Sequence, residues 1–208
     1  MKTHFNNALE NLKNMLANVA ARAESAVHEA AAAVDSASPS AAFLVIHNDS
    51  SINDAEIQIE EECLKILALY QPVATDLRQV ITILKVNNEI ERVGDLAVNI
   101  AERVEDMAYF REHNIEKFDF GCMVQKACEM LKKALDSLAY HDVPLASSVI
   151  LDDEEVDVIH RENYGKIRDL ILKNSAEAQY YMDCLTVSRC LERVADIATN
   201  IAEDVIYL

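Results

Sequence analysis

Two stretches of the sequence repeat one pattern of acidic and amide side chains that could bind a metal ion. Residues 91–104 and 192–205 are identical at ten of their fourteen positions. In an α-helix, residues four apart lie on the same face. Each copy therefore presents two carboxylates and an amide on the side opposite its apolar stripe: Glu91, Asp95 and Asn99, and then Glu192, Asp196 and Asn200. Hard cations prefer such oxygen ligands, so the sequence predicts a metal site in each copy.

A further pair of oxygen ligands precedes each stripe, again with a spacing of four residues. The pair is Asp49 and Asn53 in the first half of the chain, and Asp153 and Asp157 in the second half. In an antiparallel hairpin of helices, the start of one helix lies near the end of the next. These pairs could therefore face the stripes, although the spacing leaves open whether both sets of ligands reach the same ion.

Each of these features also has a simpler interpretation. An acidic stripe opposite the core is usually a solvated helix face that contributes only to solubility. Repetition favours metal binding, because an unconstrained surface would not keep Glu, Asp and Asn at matching positions while their neighbours differ. His160 lies one turn beyond Asp157, and Glu56 takes the corresponding place in the first half. We treat His28 and His160 as weaker candidates, since a single histidine on a helix is more often packed or solvent-facing than a ligand.

Long helices must position these side chains. The 208 residues contain three glycines and three prolines, whereas a sheet protein needs many more for its tight turns. Apolar residues recur in steps of three and four almost throughout, which predicts an all-α fold. The predicted helices cover residues 5–33, 52–70, 75–111, 122–140, 153–173 and 176–208, with short segments at 41–46 and 147–151 between them.

The two halves of the chain are copies of one unit. The acidic stripes match at an offset of 101 residues, and the preceding pairs match at an offset of 104. Pro39 and Pro144 lie at equivalent turns. We therefore expect two tandem three-helix up-down bundles, with the first repeat at residues 1–113 and the second at 114–208.

The charge of the chain limits its partners. Nineteen Lys and Arg stand against 36 Asp and Glu, which makes the formal net charge −17. Such an excess repels nucleic acid and anionic membrane surfaces and attracts cations or basic protein surfaces. No two glycines lie within twenty residues of each other, so a glycine-rich phosphate loop is excluded.

The sequence also points to a location in the cell. The start of the chain does not read as a signal peptide, and no apolar run is long enough to span a bilayer. The five cysteines form no Cys-x-x-Cys pair, and we expect them to be buried and reduced. These features predict a cytoplasmic protein.

The duplicated motif Glu-Arg-Val-Gly/Ala-Asp-x-Ala-x-Asn-Ile-Ala resembles the hallmark of the PhoU family, the phosphate-transport accessory and regulatory proteins of bacteria and archaea. Residues 71–78 are similar to that family's joint between its second and third helices. The spacing of Phe5, Leu9, Leu12 and Leu16 is similar to its first helix. The likeness extends over essentially the whole chain.

This resemblance implies multinuclear metal sites on the bundle surface, containing iron or zinc, with nickel as a further option. Carried over position by position, the ligands are the pairs Glu91/Asp95, Asp49/Asn53, Glu192/Asp196 and Asp153/Asp157. Two positions depart from the pattern. Asn53 replaces an expected carboxylate, which would weaken the first site. Ala195 replaces glycine on a face that we expect to be exposed, where a methyl group is harmless.

The resemblance also implies a role and partners. The family couples the ATPase subunit of the phosphate ABC transporter to a membrane sensor histidine kinase, and it represses phosphate-starvation genes when phosphate is plentiful. A homodimer is implied too, with membrane contact only through partner proteins. No nucleophile and base stand out in the sequence, so we expect a regulator rather than an enzyme.

Two other functions are compatible with part of this pattern. A ferritin-like di-iron oxidase would use Glu-x-x-His on core-facing helix positions, and that spacing does not occur in this sequence. The chain could also be a metal-free structural adaptor for another anion transporter. Oxygen consumption coupled to ferrous oxidation would favour the oxidase, and negligible bound metal would favour the structural adaptor.

Overall fold

The computed structural model describes residues 2–111, 115 and 117–208, which form seven α-helices and one short 3₁₀ turn. In chain order the helices are α1 (Lys2–Ser36), α2 (Pro39–Asn48), α3 (Ser50–Tyr70), α4 (Ala74–Arg111), α5 (Gly121–Tyr140), α6 (Val143–Lys173) and α7 (Ala178–Tyr207), and the turn is Ser175–Glu177. The described residues contain no strand. The all-α prediction is therefore confirmed.

The predicted apolar stripes form the core. Every stripe position of α4 from Val80 to Val104 is buried, and so are those of α7 from Val187 to Val205. Because each stripe occupies one face, burial against the neighbouring helices stabilises the long helices more than intrinsic propensity does.

The helices α2 and α3 follow one another with a single residue between them. That residue, Asp49, itself has helical dihedral angles, φ −58° and ψ −35°. Pro39 occupies the first turn of α2, where its missing N–H costs nothing, and the Ser38 hydroxyl accepts from the Ala41 N–H at 3.3 Å. The pair α2–α3 thus serves as the middle helix of the first repeat.

In the second repeat the middle helix is longer than the sequence pattern indicated. The expectation that it begins near Asp153 is wrong, because α6 starts at Val143 and includes residues 147–151. Asp142 caps this start by accepting from the Leu145 N–H at 2.9 Å. The Ser147 hydroxyl then donates to the Val143 carbonyl at 2.9 Å, so it is satisfied inside the helix.

Each repeat is a bundle of three helical rods, and the two bundles pack side by side. In the first repeat α1 and α2–α3 pack on α4, and in the second α5 and α6 pack on α7. Contacts of α4 with α7 and of α1 with α5 join the repeats, so one hydrophobic core runs through both. The predicted boundary between residues 113 and 114 lies outside the described residues.

Four of the five cysteines are buried within the core. Cys63, Cys128, Cys184 and Cys190 are buried as expected, but Cys122 is exposed at the start of α5, where the expectation of burial is wrong. Burial raises the pKa of the Cys63 thiol to about 11 and that of Cys184 to about 12. None of the described helices combines the length and the apolar content that a bilayer span needs.

Candidate metal centre

The first candidate centre lies in the groove between the start of α3 and the middle of α4. These helices form an antiparallel hairpin, which brings Asp49 beside Gly94 on α4. A Cβ atom added to Gly94 would lie 3.1 Å from Asp49 Oδ1 and 3.2 Å from Ile52 Cδ1. The absence of a side chain at Gly94 therefore allows Asp49 to approach the main chain of α4. The two sets of ligands predicted for this half face one another.

Two oxygen atoms in this groove are buried without a hydrogen-bond partner. The Asn53 amide donates to Asp49 Oδ2 at 3.0 Å, which holds the two side chains together. Asp49 Oδ1 and Asn53 Oδ1 are shielded from solvent and unpaired. Buried acceptors are normally satisfied by a donor, water or an ion. These two oxygens are thus the best-placed candidates for a cation's ligands in the first repeat.

The carboxylates of the first groove repel one another. Burial, followed by the nearby charge of Asp95, raises the pKa of Asp49, although the Asn53 hydrogen bond counteracts part of this. Burial also raises the pKa of Glu91, with further contributions from Asp95, Glu56 and Asp49. Negative charge therefore accumulates in a half-buried place, where a bound cation would be strongly favoured.

The second repeat places its four predicted carboxylates in one electrostatic cluster between α6 and α7. Burial raises the pKa of Glu192, and then Asp196, Asp157 and Asp153 raise it further. The pKa of Asp153 is raised by burial and by Asp157 and Asp196, while a hydrogen bond with Thr199 lowers it. The second pair of ligands and the second stripe thus also face one another, which the spacing alone left open.

The two predicted asparagines, Asn99 and Asn200, each lie one turn beyond the second carboxylate of their stripe, and both are exposed. Asn200 lines a depression between α4 and α7 together with Lys85 and Glu89. In the second repeat it is Thr199 that reaches Asp153. A helical-wheel argument could not separate positions 199 and 200, because both lie near the edge of the stripe and the orientation of α7 against α6 decides between them.

The face that carries Gly94 and Ala195 is not the one the sequence pattern indicated. Both residues are buried, and Ala195 is fully inaccessible to solvent. The expectation of an exposed methyl group at Ala195 is therefore wrong. The helix hairpin closes over this position, so the size of its side chain sets how closely the preceding helix can approach.

Two residues one turn beyond the predicted ligand pairs, Glu56 and His160, lie beside the two clusters. Glu56 contributes to the charge felt by Glu91 in the first groove. His160 contacts the Ser188 hydroxyl through Nδ1 at 2.9 Å, which ties α6 to α7 beside the second cluster. Their equivalent positions in the two repeats were the available signal. The other weaker candidate, His28, lines a depression with Asp35 and Asp119 away from both clusters.

The donor atoms of each groove suit a cation, although the side chains do not converge on a single point. Among residues 2–111, 115 and 117–208, no three His, Cys, Asp or Glu side chains surround one point closely enough to hold an ion. The fit depends instead on four mutually repelling carboxylates in each groove and on the unpaired oxygens of Asp49 and Asn53. Within the same described part, Asp183 is the only buried carboxylate, so a di-iron site inside the core has too few ligands.

Comparison with known proteins identifies relatives over the full length of the chain. A protein described as a phosphate-specific transport system accessory protein PhoU homolog from Pseudomonas aeruginosa is 36% identical over 210 residues, covering 98% of this chain and 84% of the relative. A homolog of the same description from Clostridium acetobutylicum is 29% identical over 205 residues, covering 98% of this chain and 93% of the relative.

Solved structures show the same fold. The crystal structure of PhoU from Pseudomonas aeruginosa superposes with a TM-score of 0.91 at 32% identity, covering 98% of this chain and 97% of that one. The phosphate transport system regulatory protein PhoU from Streptococcus pneumoniae superposes with a TM-score of 0.89 at 27% identity, covering 98% and 95% of the two chains. The family model for the PhoU domain matches twice, at residues 16–104 and 122–205, and the chain therefore belongs to the PhoU family.

Proposed function

We propose that this protein is a metal-binding regulator of phosphate uptake and of phosphate-starvation signalling. It acts as an adaptor between the ATPase subunit of a phosphate ABC transporter and a membrane sensor histidine kinase, and it limits uptake when phosphate is plentiful. Membership of the PhoU family and relatives named as accessory proteins of the phosphate-specific transport system support this role. We assign it no catalytic step.

The observation that carries the metal-binding part is the convergence of oxygen ligands in two equivalent grooves. Asp49, Asn53, Glu91 and Asp95 would hold a cation cluster in the first repeat, and Asp153, Asp157, Glu192 and Asp196 in the second. Bound iron or zinc, or nickel, would neutralise these carboxylates and cross-link the two helices of each hairpin. The buried, unpaired oxygens of Asp49 and Asn53 support this assignment.

The charge of the chain supports the choice of partners. An excess of acidic residues amounting to −17 favours docking on basic surfaces of the ATPase subunit and the kinase. In this proposal the protein is a cytoplasmic homodimer that reaches the membrane only through these partners. Cations bound in the grooves would lower the negative charge that it presents to them.

Elemental analysis of protein purified without chelator tests the metal-binding part. We expect iron or zinc in the wild type and its loss in the double variants Glu91→Gln/Asp95→Asn and Glu192→Gln/Asp196→Asn, each at its own site. The control Glu61→Gln/Glu105→Gln changes two exposed glutamates of α3 and α4 outside the groove and should retain the metal. Negligible metal in the wild type, or equal metal in all variants, would contradict the assignment.

Phosphate uptake tests the regulatory part separately. Cells that lack this protein should take up more phosphate in phosphate-rich medium and express phosphate-starvation genes there, and the wild-type protein should restore control. The double variants Glu91→Gln/Asp95→Asn and Glu192→Gln/Asp196→Asn are expressed in the same deletion cells for comparison. Unchanged uptake and unchanged gene expression after deletion would contradict the proposed role.

A further inference from the structure

We infer that the two metal sites have different metal preferences: the first binds through oxygen atoms only, whereas the second adds the imidazole of His160 and favours zinc and similar late transition metals. This inference rests on the metal binding proposed above. Imidazole suits zinc, iron, copper and nickel, while carboxylate and carbonyl oxygens suit magnesium, calcium and manganese.

Among the donor positions of the two grooves, the repeats differ at two and keep the same number of carboxylates. Asn53 corresponds to Asp157, and Glu56 corresponds to His160. Each groove therefore has four carboxylates: Asp49, Glu56, Glu91 and Asp95 in the first, and Asp153, Asp157, Glu192 and Asp196 in the second. The remaining donor is an amide oxygen in the first groove and an imidazole nitrogen in the second. Donor chemistry, and not the count of negative side chains, thus distinguishes the sites.

His160 is located where it can complete the second cluster. It lies one turn beyond Asp157 on α6, close enough for the Asp157 carboxylate to act on its ring, and it is half-buried. Its Nδ1 atom is 2.9 Å from the hydroxyl of Ser188, which lies one turn before Glu192 on α7. The imidazole therefore lies between the Asp157 carboxylate on its own helix and the Arg189 guanidinium on α7, whose positive charge acts on the ring more strongly.

One side of the His160 ring is held by a hydrogen-bond network around Ser188. Asn163 Nδ2 can only donate, and it does so to Ser188 Oγ at 3.2 Å. The Ser188 hydroxyl lies 3.4 Å from the sulfur of Met123 and 2.9 Å from His160 Nδ1, and its single hydrogen can be donated to either of them. In the metal-binding tautomer, the Nδ1–H of His160 donates to Ser188 Oγ and the lone pair resides on Nε2. An outer partner that holds one ring nitrogen and leaves the other for the metal is typical of histidine ligands.

The first repeat has no such arrangement at the matching position. Asn87 stands where the second repeat has Ser188; it is fully buried and donates to the main-chain carbonyl of Glu56 at 2.9 Å. This contact orders the main chain of α3 and leaves the Glu56 carboxylate to interact with Glu91. The first groove thus remains a site of oxygen donors.

Single-site proteins test the inference with zinc and manganese as probes. Glu192→Gln/Asp196→Asn leaves only the first site, and Glu91→Gln/Asp95→Asn leaves only the second. Calorimetric titration at one pH gives the ratio of zinc to manganese affinity for each protein. We expect this ratio to be larger at the second site by about tenfold or more, the loss that removing even an outer partner of a histidine ligand causes.

Donor-swap variants provide the matched control, because they keep the number of carboxylates. Asp157→Asn/His160→Glu should lower the ratio at the second site to that of the first, and Asn53→Asp/Glu56→His should raise the ratio at the first. Nitrogen hyperfine coupling in the EPR spectrum of the copper-loaded second site should be present and should disappear on the swap. Circular dichroism identifies any variant that does not fold.

The outcomes separate this inference from the proposed function. Equal ratios at two sites that both bind metal, or a copper spectrum without nitrogen coupling, would overturn the role of His160 and leave the proposed metal binding intact. Failure of both single-site proteins and of the wild type to bind either probe would overturn the proposed metal binding and this inference together.

Discussion

The carboxylate of Asp49 lies against the main chain of Gly94, so closely that a Cβ atom at Gly94 would be 3.1 Å from Asp49 Oδ1. Because of this contact the Asp49 side chain is half-buried at the junction of α2 and α3, and its Oδ1 atom has no hydrogen-bond partner. The equivalent position in the second repeat is a fully buried alanine, Ala195. The two grooves therefore differ in the side chain on which the preceding helix packs.

The substitution Gly94→Ala should separate folding from metal binding. Alanine is favoured over glycine inside a helix by about 1 kcal/mol, and the crowding of Asp49 and Ile52 opposes this gain. We expect the free energy of unfolding to change by less than about 1 kcal/mol, while metal affinity at the first site falls because Asp49 is displaced. Urea denaturation and calorimetric metal titration measure the two effects.

The reverse substitution Ala195→Gly provides the control. It should lower the free energy of unfolding by about 1 kcal/mol or more, because it adds backbone freedom and removes a buried methyl group. Metal affinity at the second site should be retained. Unchanged affinity of Gly94→Ala at the first site would show that the position of Asp49 is unimportant there.

The substitution Asn53→Asp should strengthen the first metal site and weaken the metal-free protein. It restores a carboxylate but removes the hydrogen bond that the Asn53 amide donates to Asp49 at 3.0 Å. Loss of that bond and the new repulsion across one helical turn should lower the free energy of unfolding by about 1 kcal/mol without metal. Thermal unfolding with chelator and with added zinc measures both states. A variant whose melting temperature is below that of the wild type both with chelator and with zinc would contradict this assignment of Asn53.

The metal-free protein should become more stable as the pH falls below neutrality. Burial and mutual repulsion raise the pKa values of several groove carboxyls above their ordinary values of 3.8 for Asp and 4.5 for Glu: Asp49, Glu91, Asp153, Glu192 and Asp196. The folded state then binds protons more tightly than the unfolded state. Stability is therefore lost as the pH rises through the raised values and regained as it falls toward the ordinary ones.

Amide variants isolate the contribution of these carboxyls. Burial lowers the pKa of His141 and of His160, so protonation of these histidines opposes the effect as the pH falls below 6.5. The double variant Glu91→Gln/Glu192→Gln keeps both histidines and should show a flatter gain in melting temperature as the pH falls from neutrality toward the ordinary carboxyl values of 4.5 and 3.8. Parallel profiles for the wild type and the variant, both measured with chelator, would contradict the raised pKa values.

Removal of metal should lower the melting temperature of the wild type. A cation that binds only the folded state stabilises it by about 2.7 kcal/mol at a concentration one hundred times its Kd. Each groove lies between two helices that a bound cation would link, so a chelator should remove this stabilisation at both sites. Differential scanning calorimetry should show that the chelator lowers the melting temperature of the wild type, and lowers that of Glu91→Gln/Asp95→Asn by less. Equal drops in both proteins would mean that the first groove is not the site.

Most of the fold followed from sequence because its signals are local. Leu12, Ile100 and Leu191 stand at helical spacings within long apolar stripes, and all three are fully buried. The start of α6 escaped prediction because serine hydroxyls such as that of Ser147 suit a loop by propensity yet are satisfied inside this helix. Tertiary packing on α5 and α7 decided in favour of the helix.

The residue types of the proposed ligand sets could be read from the sequence, but their arrangement in space could not. Repetition singled out Glu91 and Glu192 as candidates, and the structure brings each of them near carboxylates of the preceding helix. The burial of Ala195 and the position of Asn200 beside Lys85 and Glu89 depend on how α7 rotates against α6 and α4. That rotation is set by the whole core, which is why a helical wheel drawn for one helix could not supply it.

Association with the transporter ATPase subunit should weaken as the salt concentration rises through the physiological range. The −17 charge favours docking on a basic surface, and salt screens such attraction over a Debye length of about 10 Å at 0.1 M. Surface plasmon resonance at several salt concentrations should show a falling association rate and a nearly constant dissociation rate.

Binding that does not depend on salt would instead favour docking through exposed apolar side chains such as Phe43, which is 65% exposed, and Leu64. Phe43→Ser would then weaken the complex at every salt concentration, whereas under the electrostatic interpretation it leaves the salt dependence unchanged.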